Sequence, residues 1–285
     1  MDSVADTRPD AGSAAMQLGE MEVQALRDGC FELPASYMRA PDVVPDEVPD
    51  AGDGRMMHLD VNAFLIRTKS ENLLVDTGGG YRLEKDANRL LPALAAAGLA
   101  PGDIDTVLIT HIHPDHTSGL VGRAGEAIFP RARVRVHRDE LAFWRSSENA
   151  SRAPDGQAFQ FQWAVEAFAP YDGRIDVFTE GPVLPGIRAI SLFGHTPFHS
   201  GFVIDGGDRQ LLIWGDCVHD IGLQAARPEI GFAMDMDAAM AEAARRKAFS
   251  MAADDGLLVA GMHVAFPGFG TISRHGTGFV FKPAV

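Results

Sequence analysis

The chain has 285 residues, 46% of them hydrophobic, with 39 acidic against 25 basic side chains and a net charge of −14. That length can bury a sizeable core, as one large α/β domain or two small ones. So acidic a surface repels phosphate backbones and argues against nucleic acid as substrate or partner, whereas a bound metal would reverse the sign locally for a small neutral or anionic substrate.

Residues 1–18, polar and rich in Ala, Asp and Gly, read as a disordered tail, and residues 19–285 as one domain. The start lacks the apolar segment of a secretory signal and no run reaches transmembrane length, so a cytoplasmic protein without membrane contact is expected. Cys30 and Cys217 form no CxxC pair and suit a reduced compartment as small packed hydrophobes. Met21 to Phe31 is a candidate first strand. The Pro/Asp/Val-rich loop from Pro34 to Asp53 is too long for a plain connector and reads as a cover or an interface arm. Strands are expected at Leu59 to Arg67 and Asn72 to Asp76, the latter ending in Asp76-Thr77-Gly78-Gly79-Gly80. Leu83 to Ala97 reads as a helix stopped by Gly98.

The next strand runs Val107-Leu108-Ile109-Thr110 into His111-Ile112-His113-Pro114-Asp115-His116. Alternation in extended backbone sends His111 and His113 to one face, and Pro114 forces a turn that sets Asp115 and His116 at the mouth of a helix. Imidazole and carboxylate suit zinc and its first-row neighbours. Four such groups in six residues exceed what one open catalytic ion takes from a single segment, which points to two ions side by side.

Beyond this loop, Arg133 to Val136 is a short strand and Asp139 to Arg145 begins a helix. Another helix, Gln157 to Phe168, carries Phe159, Phe161, Trp163 and Phe168. Strands are expected at Ile175 to Phe178, Ile187 to Leu192, Gly201 to Ile204, Gln210 to Trp214 and Leu257 to Ala260, with a closing hairpin over Thr271 to Phe281. Ala238 to Ala253 is an alanine-rich helix whose Arg245, Arg246 and Lys247 favour its dipole. Strands and helices alternate in two blocks, which predicts an αβ/βα four-layer sandwich of two mixed sheets with helices outside. Three more segments place a ligand just past a strand: His195 in GHTPFHSG, Asp216 after the Leu211 to Trp214 run, and His263 after the Leu257 to Ala260 run. A faint echo links LLVDTGG with LLIWGDC.

With these residues in view, the sequence resembles the metallo-β-lactamase superfamily, in the branch of methyl parathion hydrolase and the N-acyl-homoserine lactonases. The likeness runs from about Leu59 to Lys282, its more specific marks being DELAFW, VLPGIRA, GHTPFHSG, RRKAF and HVAFPGFG. Phe198 departs from the usual glycine of the HTPGH pattern, which reshapes that turn but leaves both histidines. The resemblance implies one metal site from His111, His113 and His195 and a second from Asp115, His116 and His263, with Asp216 bridging. It implies two divalent ions per chain, zinc by default, with manganese, cobalt or iron able to use the same ligands. Asp76 is implied to steady a ligand, the alternative being a turn-capping role, and His199 to hold its loop rather than bind metal. His219 stands where the lactonases place a tyrosine; it is either a donor to the developing oxyanion or a surface-loop histidine. By the same resemblance Trp144, Phe159, Phe161 and Trp163 are either substrate-pocket walls or core, with Trp144 and Phe161 favoured for the pocket. Relatives of this type also imply a homodimer.

Two ions so held would bring a shared water towards hydroxide near neutral pH, with Asp115 steering the proton to the leaving group. No G-x-S-x-G is present and no Ser or Cys nucleophile is required. The expected activity is hydrolysis of lactones or carboxylic esters. The alternatives are an organophosphate phosphotriesterase, a nucleic-acid phosphodiesterase disfavoured by charge, and a non-catalytic metal-binding scaffold.

Overall fold

The computed structural model describes residues 14–40, 54–154 and 156–284. Its strands in chain order are β1 (Ala15–Leu18), β2 (Met21–Pro34), β3 (Met38–Arg39), β4 (Met56–Arg67), β5 (Asn72–Val75), β6 (Thr106–Leu108), β7 (Arg133–His137) and β8 (Ile175–Phe178). The second half adds β9 (Gly181–Leu184), β10 (Ile187–Ser191), β11 (Ser200–Asp205), β12 (Gln210–Ile213), β13 (Gly231–Phe232), β14 (Leu258–Ala260), β15 (Phe269–His275) and β16 (Gly278–Pro283). The helices are α1 (Leu90–Ala96), α2 (Pro114–Thr117), α3 (Arg138–Trp144), α4 (Ser147–Ser151), α5 (Ala158–Phe168), α6 (Ile221–Ala226) and α7 (Ala238–Asp254).

One seven-stranded sheet has the order β1-β2-β4-β5-β6-β7-β8, the other β16-β15-β14-β12-β11-β10-β9, and β3 pairs with β13 as a small ribbon. Both large sheets are mixed: β4, β5 and β6 run antiparallel then parallel, as do β11, β12 and β14. Period-two alternation explains the layering. Leu65, Leu74 and Val107 face an outer slab shared with α1 and α5, while Phe64, Val75 and Leu108 face an inner slab. That inner slab also takes Phe202, Ile204, Ile213 and Ala260, whereas Val203, Leu212 and Val259 pack outward against α7. Three apolar slabs between four layers are the αβ/βα sandwich expected from the sequence.

Several boundaries differ from expectation. The tail predicted over residues 1–18 is cut short by β1, whose Ala15 to Leu18 pair with Met21 to Gln24; residues 1–13 lie outside the described residues. Of the Pro34 to Asp53 arm, residues 41–53 also lie outside them, and Met38–Arg39 pairs with β13. The helix expected from Leu83 starts only at Leu90. Cys30 donates to the carbonyl of Asp86, Asn88 donates to that of Asp28, and the Asp28 carboxylate accepts from the amides of Arg89 and Leu90. Backbone that would have continued the helix is thus taken by β2, and a distant carboxylate supplies the cap. Among the described residues no helix is long and apolar enough to cross a membrane.

In α7, Arg245, Arg246 and Lys247 sit mid-helix rather than at its end, so the dipole reading fails for them. Arg245 is instead fully buried and donates from Nε to the carbonyl of Pro228 at 2.9 Å and from Nη1 to that of Cys217 at 3.0 Å. It ties α7 to the loop that follows Asp216. Arg245→Met keeps the aliphatic stem but leaves both carbonyls without that donor, so a loss of about 2–4 kcal/mol is expected in urea unfolding at unchanged m-value. A loss below about 0.5 kcal/mol would contradict this reading.

Candidate active site

Strand β6 ends at Leu108, and extended backbone carries His111 and His113 beyond it to Pro114, which occupies the first turn of α2. Asp115 and His116 follow on that short helix. From the other sheet His195 arrives after β10, Asp216 after β12 and His263 after β14. Two sets of side chains converge: His111, His113, His195 and Asp216, and Asp115, His116, Asp216 and His263, each with ligand atoms within 4.8 Å of one another. Asp216 belongs to both.

The spacings suit cations. His113 Nδ1 lies 3.1 Å from His111 Nε2 and 3.0 Å from His195 Nε2. Asp216 Oδ2 is 3.3 Å from His195 Nε2, 3.7 Å from His111 Nε2 and 3.1 Å from His263 Nε2; Oδ1 is 3.1 Å from His116 Nε2. Asp115 Oδ2 is 3.4 Å from both His116 Nε2 and His263 Nε2. Ligands at about 2.0–2.1 Å around one tetrahedral ion would stand roughly 3.3 Å apart, and these spacings match that edge length. His116 Nε2 and Asp216 Oδ1 are buried and, despite their proximity, make no hydrogen bond.

The far side of each ring fixes which nitrogen is bare. His116 Nδ1 donates to Asp76 Oδ2 at 2.8 Å, and His263 Nδ1 to the carbonyl of Asp60 at 2.8 Å. His195 Nδ1 donates to Asp235 Oδ1 at 3.0 Å. Thr110 Oγ1 donates to Asp76 Oδ2 at 2.7 Å and so accepts from His111 Nδ1 at 3.0 Å. In all four rings it is Nε2 that faces the cluster, where it would offer its lone pair to a cation. Asp76 does this from a left-handed backbone conformation (φ 59°), which Asp tolerates better than most residues.

Burial opposes ionisation of Asp216 and Asp115, yet the surrounding imidazoles, His116 first for both, hold each carboxylate well below its usual range. Burial likewise opposes a charge on His263 and His195, but Asp216 outweighs it, aided by Asp115 at the first and Asp235 at the second, placing them at about 10 and about 9. The field at these nitrogens therefore favours positive charge. His111 and His113 lie well below the usual range, through burial and then repulsion from His116 and His195 respectively.

His199 joins no ligand set. Its Nδ1 donates to the carbonyl of Leu192 at 3.1 Å and its Nε2 accepts from the amide of Asp216 at 2.9 Å, so both nitrogens are spent holding two loops together. His219 is buried, which removes the surface-loop alternative. It stacks on Phe232 at 3.8 Å, lies 3.3 Å from Asp216 Oδ2 through Nε2, and neither ring nitrogen has a hydrogen-bond partner. Burial pushes it down to about 4, so it is neutral at working pH.

Sequence reasoning missed Asp235 and Glu140. Buried Glu140 accepts from the amide of Ile112 at 3.0 Å, from Trp144 Nε1 at 2.8 Å and from the amide of Phe198 at 3.1 Å, joining the two ligand loops. Phe198 stacks on His137 at 5.6 Å, which gives the departing side chain a home without moving His195 or His199 from their roles.

A match to the Metallo-beta-lactamase superfamily covers residues 57–263. The chain belongs to that superfamily. The protein named Metallo-beta-lactamase domain-containing protein 1 is 46% identical over 67 residues in Rattus norvegicus and 36% over 112 in Homo sapiens. These stretches are 24% and 39% of this chain, and the chain spans only 23% and 36% of those curated relatives' length. A crystal structure of the hydrolase AbOPH in the beta lactamase superfamily is similar at TM-score 0.87 and 28% identity, over 98% of this chain and 99% of that one. AidC, a dizinc quorum-quenching lactonase in complex with a product, shares the superfamily fold at TM-score 0.86 and 24% identity, over 96% and 98%.

The strand ends of both sheets open on a cavity of about 260 Å³ above the shared Asp216. Phe31, Leu33, Leu59, Leu83, Phe159 and Trp163 wall it. Trp144 and Phe161, the favoured pocket residues, are not among its walls. They belong to the outer core slab and back a neighbouring cavity, with the Trp144 ring edge-on to His113 at 5.5 Å. Both rings are thus core, and the cavity they line is a different one from that above Asp216.

Proposed function

We propose that the protein is a metal-dependent hydrolase of lactones or carboxylic esters, binding two divalent ions, zinc by preference, in its two ligand sets. The observation that carries this reading is the pair of four-residue sets sharing Asp216 beneath an apolar cavity whose lining contains no Lys or Arg. A neutral, lipophilic substrate suits such walls; an anionic phosphodiester or carboxylate would want a cation there. When bound, the ion pair would supply a water deprotonated near neutral pH and a Lewis acid for the substrate oxygen.

This chain's residues do the rest. Asp115, ionised and 18% exposed at the cavity, is placed to take the proton released as water adds to the carbonyl carbon and to pass it to the departing alkoxide as the C–O bond breaks. Neutral His219, whose ring lines the cavity with Nε2 3.3 Å from Asp216 Oδ2, is the donor to the carbonyl oxygen as negative charge gathers there, once substrate reaches its buried ring nitrogen. The stack on Phe232 holds that ring without using either nitrogen.

A neutral phosphotriester meets the same walls and the same electrophile-binding side, and the aromatic rings of Phe31, Phe159 and Trp163 suit an aryl leaving group, so organophosphate hydrolysis is the second reading. A parallel rate screen of lactones, aryl esters and aryl phosphotriesters decides between them, a hundredfold preference in kcat/KM assigning the class. Metal-loaded protein inert on all three would overturn the enzyme reading in favour of a metal-binding scaffold. His219→Phe, which keeps the stack, is expected to lower kcat about 10²-fold with KM little changed. An unaltered kcat would remove the donor role.

A further inference from the structure

A second cavity, of about 350 Å³, adjoins the first. The two share His113, Gln160 and Met234 in their linings, so they meet beside a candidate ligand. Their chemistry differs. The first is walled by hydrocarbon and aromatic rings, whereas the second presents Asn149, Arg152, Gln157 and Gln160. Helix α5 spans the boundary: Phe159 lines the first cavity, Phe161 the second, and Gln160 between them lines both.

Gln160 is 7% exposed, yet its side-chain amide makes no hydrogen bond to any described residue. The stem of the side chain is buried while its amide opens onto the two cavities, at a core-facing helix position that would ordinarily carry Leu or Ala. A polar group with no partner among the described residues, set where two cavities meet, is placed to be satisfied by what enters them. Charge does not decide the occupant: Arg152 is paired with Glu148, and Asp235 on the opposite wall is engaged by His195. Gln160 offers both a donor and an acceptor, which matches a neutral group that also has both.

We infer that Gln160 is a specificity-determining residue of a two-lobed substrate site, in which a carboxamide-type group on one arm of an ester passes over Gln160 into the second cavity while an apolar arm fills the first. The inference rests on the hydrolase reading and names the substrate class that this site distinguishes. It gives Gln160 no part in bond making or breaking; the amide selects which arm crosses the boundary.

The test uses the metal-loaded full chain and nitrophenyl esters of matched chain length, one series ending in an alkyl group and the other in a primary carboxamide. The expected result is a preference of about 10- to 100-fold in kcat/KM for a carboxamide ester over its alkyl twin at one chain length, expressed mainly in KM. Gln160→Leu should bring that ratio close to one. A structural role would lower both rates together and leave the ratio in place, which would overturn the inference. A wild-type enzyme that hydrolyses both series without preference would overturn it as well, and this arm needs no variant to fold. Absence of turnover on every ester, lactone and triester would instead overturn the hydrolase reading and this inference with it.

Discussion

Replacing Asp216 by asparagine is expected to abolish hydrolysis together with the binding of at least one ion while the fold stays in place. The side chain is buried among five imidazoles and is the one residue common to both ligand sets. Oδ2 reaches both sets, at His195 of the one and His263 of the other, while Oδ1 faces His116. Asparagine keeps the shape but converts one oxygen to an NH₂ that has no lone pair for a cation and removes the negative charge that holds two together. The loss of activity should therefore lie well beyond the roughly 10–100-fold typical of a residue that only orients a ligand. Elemental analysis should fall from about two ions per chain to one or fewer. The Asp216 amide still donates to His199, so circular dichroism should be unchanged. A variant that retained both ions and wild-type turnover would sink the shared-ligand assignment.

Much of this site is legible in the sequence because apolar strands must end somewhere, and here they end in the side chains of the two clusters. The HxHxDH run, Asp216 and His263 all come after stretches that burial forces into the middle of a sheet. The faint echo between LLVDTGG and LLIWGDC has a structural basis: β5 and β12 each lie antiparallel to one neighbour and parallel to the next, and each delivers an aspartate, Asp76 or Asp216, to the ligands. The illegible part depends on tertiary partners. Asp235 reads as one more acid in a Met/Asp-rich loop until His195 is seen against it. Glu140 and Gln160 sit among helical polar residues that period alone would send to solvent, yet both turn inward. The start of α1 is hidden for the same reason, since the Asp28 carboxylate that caps it lies some sixty residues earlier. The aromatic residues of α5 do divide between pocket and core, but Phe159 and Trp163 take the cavity above Asp216 and Phe161 the one beside it.

Asp76→Asn carries the second large effect, and it acts through the proton on His116. The native carboxylate accepts three hydrogen bonds, from the amide of Thr110 at 2.8 Å, from Thr110 Oγ1 at 2.7 Å and from His116 Nδ1 at 2.8 Å. Asparagine tolerates the left-handed backbone here, so the loss does not come from strain. Its oxygen can keep the amide of Thr110, but its NH₂ then faces Thr110 Oγ1 and His116 Nδ1, both donors in the native arrangement. The ring relieves the clash by moving its proton to Nε2, which turns the nitrogen beside Asp115 and Asp216 from a lone pair into an N–H and removes His116 from its ligand set. A tautomer change of this kind is costly in the catalytic triads, where geometry also stays intact. The expected result is a loss of about 10- to 100-fold or more in metal affinity and turnover, with the melting temperature falling only slightly. Against burial, Asp216, Asp115 and Asp76 hold His116 well above its usual range. Nitrogen-15 shifts of the metal-free protein should therefore be read at alkaline pH, where the neutral ring should show the proton moving from Nδ1 to Nε2. A ring that keeps its proton on Nδ1 in a fully active variant would show that Asp76 only shapes the turn after β5.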